Sequence, residues 1–174
     1  MRGRDGNAGV GGFTLVEILV AIAILGILVT LAVSTFREFN EKYKVEAETK
    51  QLYADLMDAR GRAMQRNRVY HIQITANGYA TSEDGFPAPD GDSNPANGAN
   101  FPVSNVTVNH PITTALPNPG PPANFFFNRN GISSVTGNLR FASVANSNPD
   151  YDCITILETR IKMGKHDGTI CVER

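Results

Sequence analysis

The chain has 174 residues, with 16 Lys and Arg against 17 Asp and Glu, and its formal net charge is −1. This length holds one globular core beside an accessory segment, but hardly two cores. The near-neutral charge excludes a basic field over the whole surface, of the kind that attracts nucleic acid or anionic lipid.

An apolar run at residues 13–36 follows a short leader that ends in Gly12. As a helix rising about 1.5 Å per residue, the run spans on the order of 36 Å, enough to cross a hydrocarbon core with some tilt. Glu17 lies inside this run, where an unpaired carboxylate costs roughly 2.5 to 3.5 kcal/mol at depth. The acid therefore needs a positive partner, such as the free amino terminus of a neighbouring copy.

Two simpler interpretations of the run exist. It could be a plain single-pass anchor, given its length. It could also be an ordinary secretory signal, with Arg2 and Arg4 as the charged region and a small-residue cleavage site at residues 32–34. Neither an anchor nor a secretory signal benefits from Glu17 at the start of the apolar run, so the acid argues against both.

The start of the run reads Gly11-Gly12-Phe13-Thr14-Leu15-Val16-Glu17. This segment resembles the signal of type IV pilins and type II secretion pseudopilins. The resemblance implies that a prepilin peptidase cleaves between Gly12 and Phe13 and methylates the new amino terminus on Phe13. It also implies that Glu17 serves assembly by neutralising the amino terminus of an adjacent subunit.

Residues 37–68 are amphipathic and contain no helix breaker until about Asn67. From residue 36 onward, two sets of apolar residues recur at spacings of three and four: Phe36, Phe39, Tyr43 and Ala47, then Leu52, Leu56, Ala59 and Ala63. This period predicts one long helix from Phe13 into the mid-sixties. Its half at 13–36 would lie in the membrane or filament core, and its amphipathic half at 37–68 would pack on the domain.

The predicted helix ends in a basic cluster: Arg60, Arg62, Arg66 and Arg68. Cations near a helix C-terminus complement the helix dipole, which favours a structural role for the cluster over a nucleic-acid site.

From residue 69 the apolar period changes to two. Tyr70, Ile72 and Ile74 share one face of a predicted strand, and His71 is expected to be solvated on the other face. Asn77 and Gly78 predict a tight turn into a second strand, and hence a hairpin.

Nine of the ten prolines lie at residues 84–124, which argues against central strands there but allows an edge strand at 103–108. Short antiparallel strands are predicted at 125–127, 139–142, 153–157, 160–163 and 169–172. The predicted fold class is therefore α+β, pilin-like, with the long N-terminal helix packed on antiparallel sheet. The domain map is a leader at 1–12, the helix at 13–68 and a β-rich domain at 69–174.

Cys153 and Cys171 are separated by 18 positions. In an oxidising periplasm or on a cell surface they could form a disulfide. Reduced cysteines packed as small apolar side chains are the alternative.

Three later segments resemble the GspH/FimT branch of the pilin superfamily. These are the helix end at 59–68 directly before a strand, the late strand at 159–163, and the segment Phe125-Phe126-Phe127-Asn128-Arg129-Asn130-Gly131. The resemblance implies a minor, low-copy subunit of a filament or of its tip.

Enzymatic interpretations find no support in the residue spacing, so no catalytic residue, metal or cofactor is predicted. His71, His110 and His166 lie far apart, and no Gly-rich phosphate loop follows a strand. The segment Asp90-Gly91-Asp92-Ser93-Asn94 is similar to the start of a calcium loop. Pro95 and Phe101 then stand where the turn glycine and the bidentate Glu belong, so an EF-hand is excluded.

Two functional hypotheses remain. In the first, the chain is a structural subunit that helps to initiate or cap a type IV pilus or type II secretion pseudopilus. Its partners would be the prepilin peptidase, other pilin or pseudopilin subunits and the inner-membrane assembly platform. It would be a single-pass inner-membrane protein with a periplasmic C-terminal domain before assembly, and then part of a periplasmic pseudopilus or a surface pilus.

In the second hypothesis, the chain is a minor pilin that binds DNA for uptake. Arg160, Lys162 and Lys165 would form a cationic patch, with His166 beside it, that contacts phosphates without reading bases. Alternation of cations with Ile161 and Met163 is equally typical of the solvated face of a strand, and the charge of the domain gives no strong field.

Overall fold

A computed structural model describes residues 12–84, 101–117, 122–143 and 147–174, without the side chains of residues 31–35 and of Phe101. The leader before Gly12 and the segment Asp90-Gly91-Asp92-Ser93-Asn94 lie outside the described residues. The described residues divide into two units, the first ending at Glu38 and the second beginning at Phe39.

One helix, α1, extends over Leu15–Arg66 and confirms the predicted long helix. It ends because Asn67 adopts a left-handed backbone with φ of 55°. The Arg68 N–H then donates back to the Ala63 carbonyl at 3.1 Å. This is the Schellman arrangement, in which the residue after the helix reverses the chain and satisfies a free carbonyl.

The amphipathic half of α1 packs on the domain through one face. Its fully buried members recur at spacings of four and three: Val45, Thr49, Leu52, Leu56, Ala59 and Ala63. The prediction for Leu52, Leu56, Ala59 and Ala63 is therefore confirmed. The buried Thr49 hydroxyl donates to the Val45 carbonyl at 2.8 Å, so it is satisfied within the helix.

The first of the two predicted apolar sets does not lie on this packed face of α1, so its assignment to the face was wrong. Phe36, Phe39, Tyr43 and Ala47 are all exposed, Tyr43 by 63%. Tyr43 precedes Val45 by two residues, which is a rotation of about 200° around the helix. The two apolar sets share a period but not a phase, and only the set in phase with Val45 meets the domain.

In the described residues nine strands follow α1. They are β1 Tyr70–Thr75, β2 Gly78–Glu83, β3 Phe101–Thr107, β4 Ile112–Ala115, β5 Ala123–Phe127, β6 Gly137–Phe141, β7 Cys153–Ile156, β8 Ile161–His166 and β9 Cys171–Glu173. They form two antiparallel sheets, with strand orders β3-β2-β1-β5 and β4-β6-β7-β8-β9. The α+β, pilin-like fold class is confirmed.

The strands that the structure describes in the proline-rich stretch lie at sheet edges. β3 is the predicted edge strand, and β4, which was not predicted, lies at the edge of the second sheet. An edge strand needs hydrogen bonds on one side only, so neighbouring prolines are tolerated there.

The predicted hairpin of β1 and β2 forms, but its loop residues are Ala76 and Asn77. Gly78 already pairs with Thr75 as the first residue of β2. A Cβ at Gly78 would strike the Val106 carbonyl oxygen of β3. The glycine therefore permits the close approach of β3, and the turn begins one residue earlier than predicted.

The helix and both sheets enclose one hydrophobic core. Leu56 comes from the helix, Ile72 and Phe127 from the first sheet, and Phe141 and Ile154 from the second, each at most 1% exposed. Full burial of such a side chain stabilises the fold by about 1.5 to 3 kcal/mol.

Cys153 of β7 and Cys171 of β9 form a disulfide. Closing a loop of this length is worth about 3 kcal/mol in the chain-entropy model. The bridge connects two strands that flank β8, and Gly164 of β8 lies beneath it. A Cβ at Gly164 would strike the Val172 carbonyl oxygen and come within 3.0 Å of the Cys171 sulfur. The bridge thus requires a residue without a side chain at this point.

Candidate assembly interface

The start of α1 holds Glu17 in its first turn. The Glu17 N–H donates to the Thr14 hydroxyl at 3.2 Å, and the Ile18 N–H donates to the Thr14 carbonyl at 3.3 Å. Thr14 therefore caps the helix. A carboxylate in the first turn interacts favourably with the helix dipole. The sequence places this acid four residues after Phe13.

We refer to residues 13–30 as the stem. Its residues are all exposed, Phe13 by 79%. The stem's one hydroxyl inside the helix, on Thr30, donates to the Ile27 carbonyl at 2.7 Å and so presents no unsatisfied donor. The stem is thus an apolar surface on all sides, and a surface of this size marks a site that contacts protein or lipid. Among the described residues, no helix combines the length and the apolar character that a membrane crossing requires.

The three cations of the predicted DNA patch do not all share one face, because Lys162 and Lys165 are three positions apart on β8. Lys162 forms an ion pair with Glu173 on the neighbouring strand. Lys165 donates to the Asn148 side chain, and it lies on the opposite face of β8 from Lys162 because side chains alternate along a strand. Arg160 is exposed just before β8.

His166, the fourth residue considered for the patch, is tied into its own loop. Its backbone N–H donates to the Asp152 carboxylate at 2.6 Å, and its Nδ1 accepts from the Gly168 N–H at 3.0 Å. Lys162, Lys165 and His166 of β8 are thus all engaged in contacts within the domain.

The basic cluster at the end of α1 is engaged within the domain. Arg60 donates to the Gly131 carbonyl at 2.9 Å, and Arg62 pairs with Asp58 at 2.7 Å. Both remaining arginines pair with one carboxylate, that of Glu83 in β2, with Arg66 at 2.7 Å and Arg68 at 3.4 Å. Arg66 and Arg68 therefore fasten the helix end to the first sheet. The role is structural, but it acts through ion pairs and not only through the helix dipole that the sequence analysis considered.

Glu83 is a buried carboxylate that the sequence analysis missed. Burial opposes its ionisation, but hydrogen bonds from the Tyr70 hydroxyl and Arg66, both at 2.7 Å, outweigh burial and hold the pKa of Glu83 below its ordinary value of 4.5. For Tyr70, burial and the bond to Glu83 raise the pKa to about 12. No local pattern marks this group, because its members come from the helix end, β1 and β2.

The lowered pKa of Glu83 predicts an acid-sensitive domain. A carboxylate whose pKa is lower in the folded state stabilises the fold above the unfolded value of 4.5 and loses that contribution as pH falls through the folded value. We expect the free energy of unfolding to fall below about pH 4.5 more steeply in the wild type than in Glu83→Gln, measured by urea denaturation along a pH series. The exposed Glu158→Gln is the control and should follow the wild type. Equal acid slopes for wild type and Glu83→Gln would contradict the assignment.

His110 forms a second polar group that sequence reasoning missed. Its ring nitrogens face two helix carboxylates, Nδ1 at 2.8 Å from Glu48 and Nε2 at 3.1 Å from Glu41. Asn109 donates its backbone N–H to Glu48 at 2.9 Å. Burial would raise the pKa of Glu48, but these hydrogen bonds lower it overall. The group fastens the connection between β3 and β4 to α1. The partners lie 62 residues apart, too far for a local motif to reveal them.

The prediction that His71 is solvated was wrong. The residue is buried, 4.0 Å from the Asp84 carboxylate, with its ring edge-on to Phe126 at 6.1 Å. Its cross-strand neighbours on this face of the sheet are Ser82 of β2 and Phe126 of β5, and the Phe126 ring helps to cover it. Among the described residues, no group of three or more His, Cys, Asp or Glu is arranged to hold a metal ion.

Comparison with known proteins agrees with this architecture. Residues 8–33 match the model of the prokaryotic N-terminal methylation motif, which contains Gly12, Phe13 and Glu17. Residues 48–159 match the family model described as type II transport protein GspH. Neither a curated protein nor a solved structure matches the chain.

The GspH match covers more than half of the chain, from the amphipathic half of α1 to the turn between β7 and β8. The methylation motif covers the stem. A long N-terminal helix followed by antiparallel sheets is the pilin-like arrangement that both matches lead one to expect. The chain belongs to the GspH family and is a subunit of the type II secretion pseudopilin or type IV pilin class.

Proposed function

We propose that this chain is a minor subunit that helps to initiate or cap the filament of a type IV pilus or type II secretion system. The observation that carries the proposal is the stem, an apolar helix exposed on all sides with Glu17 in its first turn, attached to a GspH-type domain. Such a surface requires other apolar helices or lipid around it.

Processing precedes assembly in this account. The prepilin peptidase cuts between Gly12 and Phe13 and methylates Phe13, which is supported by the methylation motif at residues 8–33. The subunit then waits in the inner membrane with its domain in the periplasm, next to the assembly platform. After assembly it lies in a periplasmic pseudopilus or a surface pilus. The Cys153–Cys171 disulfide suits either oxidising location.

Charge neutralisation gives assembly its specificity. A buried carboxylate and a buried amino terminus are each costly alone, and pairing them removes most of both costs. Glu17 of one subunit therefore pairs with the amino terminus on Phe13 of a neighbouring subunit. Apolar packing of stems is non-directional, so this pair fixes how far one stem is displaced along the next.

The alternative role, DNA capture through Arg160, Lys162 and Lys165, has weaker support. Lys162 is paired with Glu173, and Lys165 lies on the other face of β8. Phosphate binding needs cations that converge on one surface.

Deletion of the gene in the native bacterium tests the initiating role. We expect far fewer filaments per cell, each of normal length, because a nucleating subunit controls the number of filaments and not their growth. The full-length chain supplied in trans should restore the number. Filaments of normal number but reduced length, counted by electron microscopy, would contradict initiation and indicate a role in elongation.

A further inference from the structure

A groove of about 670 Å³ lies on the outer face of the first sheet, and all four strands of that sheet line it. This volume is within the range of roughly 300 to 1,000 Å³ that small-molecule sites occupy. We call it the amide groove; the lining residues that define it are Gln73, Ala80, Ser82, Asn105, Asn124 and Phe126. Their neighbours Ile72, Ile74 and Phe125 point into the core, so these side chains lie on the face directed away from α1.

Three amide side chains form one row across the groove. Gln73 of β1 pairs with Asn124 of β5 on one side and with Ala80 of β2 on the other. Ala80 in turn pairs with Asn105 of β3. The row crosses three strand spacings, about 14 Å. Its amides are exposed, and among the residues that the structure describes none forms a hydrogen bond with them. The small side chain of Ala80 leaves the sheet surface open between Asn105 and Gln73.

An aromatic ring lies beside this row. Phe126 follows Asn124 by two residues on β5, so the two side chains are on the same face about 7 Å apart along the strand. The ring is partly exposed and packs edge-on against His71 at 6.1 Å. The Phe126 N–H donates to the Ser134 hydroxyl at 3.0 Å, which holds the backbone in place. The groove therefore offers a fixed apolar surface next to hydrogen-bonding groups.

The chemistry of the lining restricts the ligand. None of the described lining residues is Lys, Arg, Asp or Glu. A phosphate-rich ligand needs cations, so the groove does not suit one. An amide both donates and accepts hydrogen bonds. A purely apolar ligand would strip water from these amides without replacing its hydrogen bonds, which is unfavourable. The ligand must therefore be neutral and carry many groups that donate and accept.

From these observations we propose that the amide groove binds a neutral oligosaccharide. Sugar hydroxyls donate and accept, as the row of amides requires, and the C–H face of a sugar ring can lie against Phe126. An extended peptide would instead add to the edge of a sheet through its main chain, whereas this groove is on a face. The inference goes beyond the proposed function. A periplasmic filament meets the glycan strands of the cell wall, and a surface filament meets glycans outside the cell.

Binding of defined sugars to the full-length chain tests the proposal. The protein is purified in a zwitterionic detergent, because maltoside detergents carry sugar headgroups that would compete. It is applied to an array of neutral surface oligosaccharides that includes chitotetraose, and the Kd of the sugar retained most is measured by calorimetry. Sedimentation with purified peptidoglycan distinguishes the sources. Binding to chitotetraose and peptidoglycan would assign the groove to the cell wall, and binding to other array members alone would assign it to surface glycans.

Two groove variants and a matched control make the test specific. We expect Gln73→Ala to weaken binding about fivefold, the loss typical of one hydrogen-bonded group. Phe126→Leu should also weaken it, since it removes the flat ring but keeps apolar bulk. Gln65→Ala removes an exposed amide of α1 outside the groove and should bind like the wild type.

Three results would overturn the inference. The first is a wild-type chain that retains neither an array sugar nor peptidoglycan. The second is equal affinity of the wild type, Gln73→Ala and Phe126→Leu, which would place the sugar elsewhere on the chain. The third is displacement of the sugar by a neutral Gly-Ser peptide or by single-stranded DNA, which would assign the groove to another class of ligand.

Discussion

Glu17→Ala is expected to abolish incorporation of the chain into filaments while leaving cleavage after Gly12 intact. The amino terminus on Phe13 of the neighbouring subunit would lose its counter-charge in an apolar surrounding. A charge without a partner there costs roughly 2.5 to 3.5 kcal/mol, which corresponds to a loss of roughly 60- to 300-fold in incorporation. The measurement is the amount of chain in sheared filaments relative to the amount in membranes.

Two controls make this result specific. Glu38→Ala removes an exposed helix carboxylate outside the stem and should incorporate normally. The mass of the mature Glu17→Ala chain from membranes should differ from that of the processed wild type only by the difference between Glu and Ala. Normal incorporation of Glu17→Ala would remove the charge-pairing step from the proposed mechanism.

Leu52→Ala should destabilise the domain by about 2 to 5 kcal/mol, whereas Tyr43→Ala should change its stability by less than about 0.5 kcal/mol. Leu52 is fully buried between α1 and the sheets, so truncation removes apolar contacts and leaves a cavity. Tyr43 lies on the opposite side of the same helix and is exposed. Chemical denaturation of the domain from Phe39 onward measures both, since the core residues lie in that unit.

This pair of variants decides which face of α1 packs on the domain. A large loss of stability in Tyr43→Ala would mean that Tyr43 packs in the core of the domain. Small effects in both would mean that the helix contributes little to the domain. In the expected case, Tyr43→Ala keeps a stable domain and leaves an intact protein in which to examine assembly.

The sequence was sufficient to predict the elements whose signals are local. The long helix, the hairpin of β1 and β2 and the late strands follow from periodicity, because a helix or strand repeats its burial pattern over neighbouring residues. The disulfide partners were predictable from the number of cysteines and the exported context. Glu17 was recognisable because a charge in an apolar run is conspicuous without any structure.

What could not be predicted depends on contacts between distant parts of the chain. Periodicity gave the repeat of α1 but not its phase, so Tyr43 was placed on the packed face that belongs to Val45 and Leu52. The division into two sheets and the burial of His71 depend on strand order, which local pattern does not encode.

The same limit applies to individual side chains. Glu83 and His110 take their roles from partners in other elements, and Lys162 proved to be paired across strands with Glu173. The sequence alone did not show that Lys162 is paired or that Lys165 lies on the other face of β8.

The amino terminus of the mature chain tests the central claim most directly. The full-length protein is recovered from membranes of its native bacterium, and its N-terminal peptide is identified by mass spectrometry. The mature chain is expected to begin at Phe13 and to carry a methyl group on its amino nitrogen. A chain that still begins at Met1, or one cleaved near residues 32–34, would contradict it and would identify the apolar run as an anchor or a secretory signal.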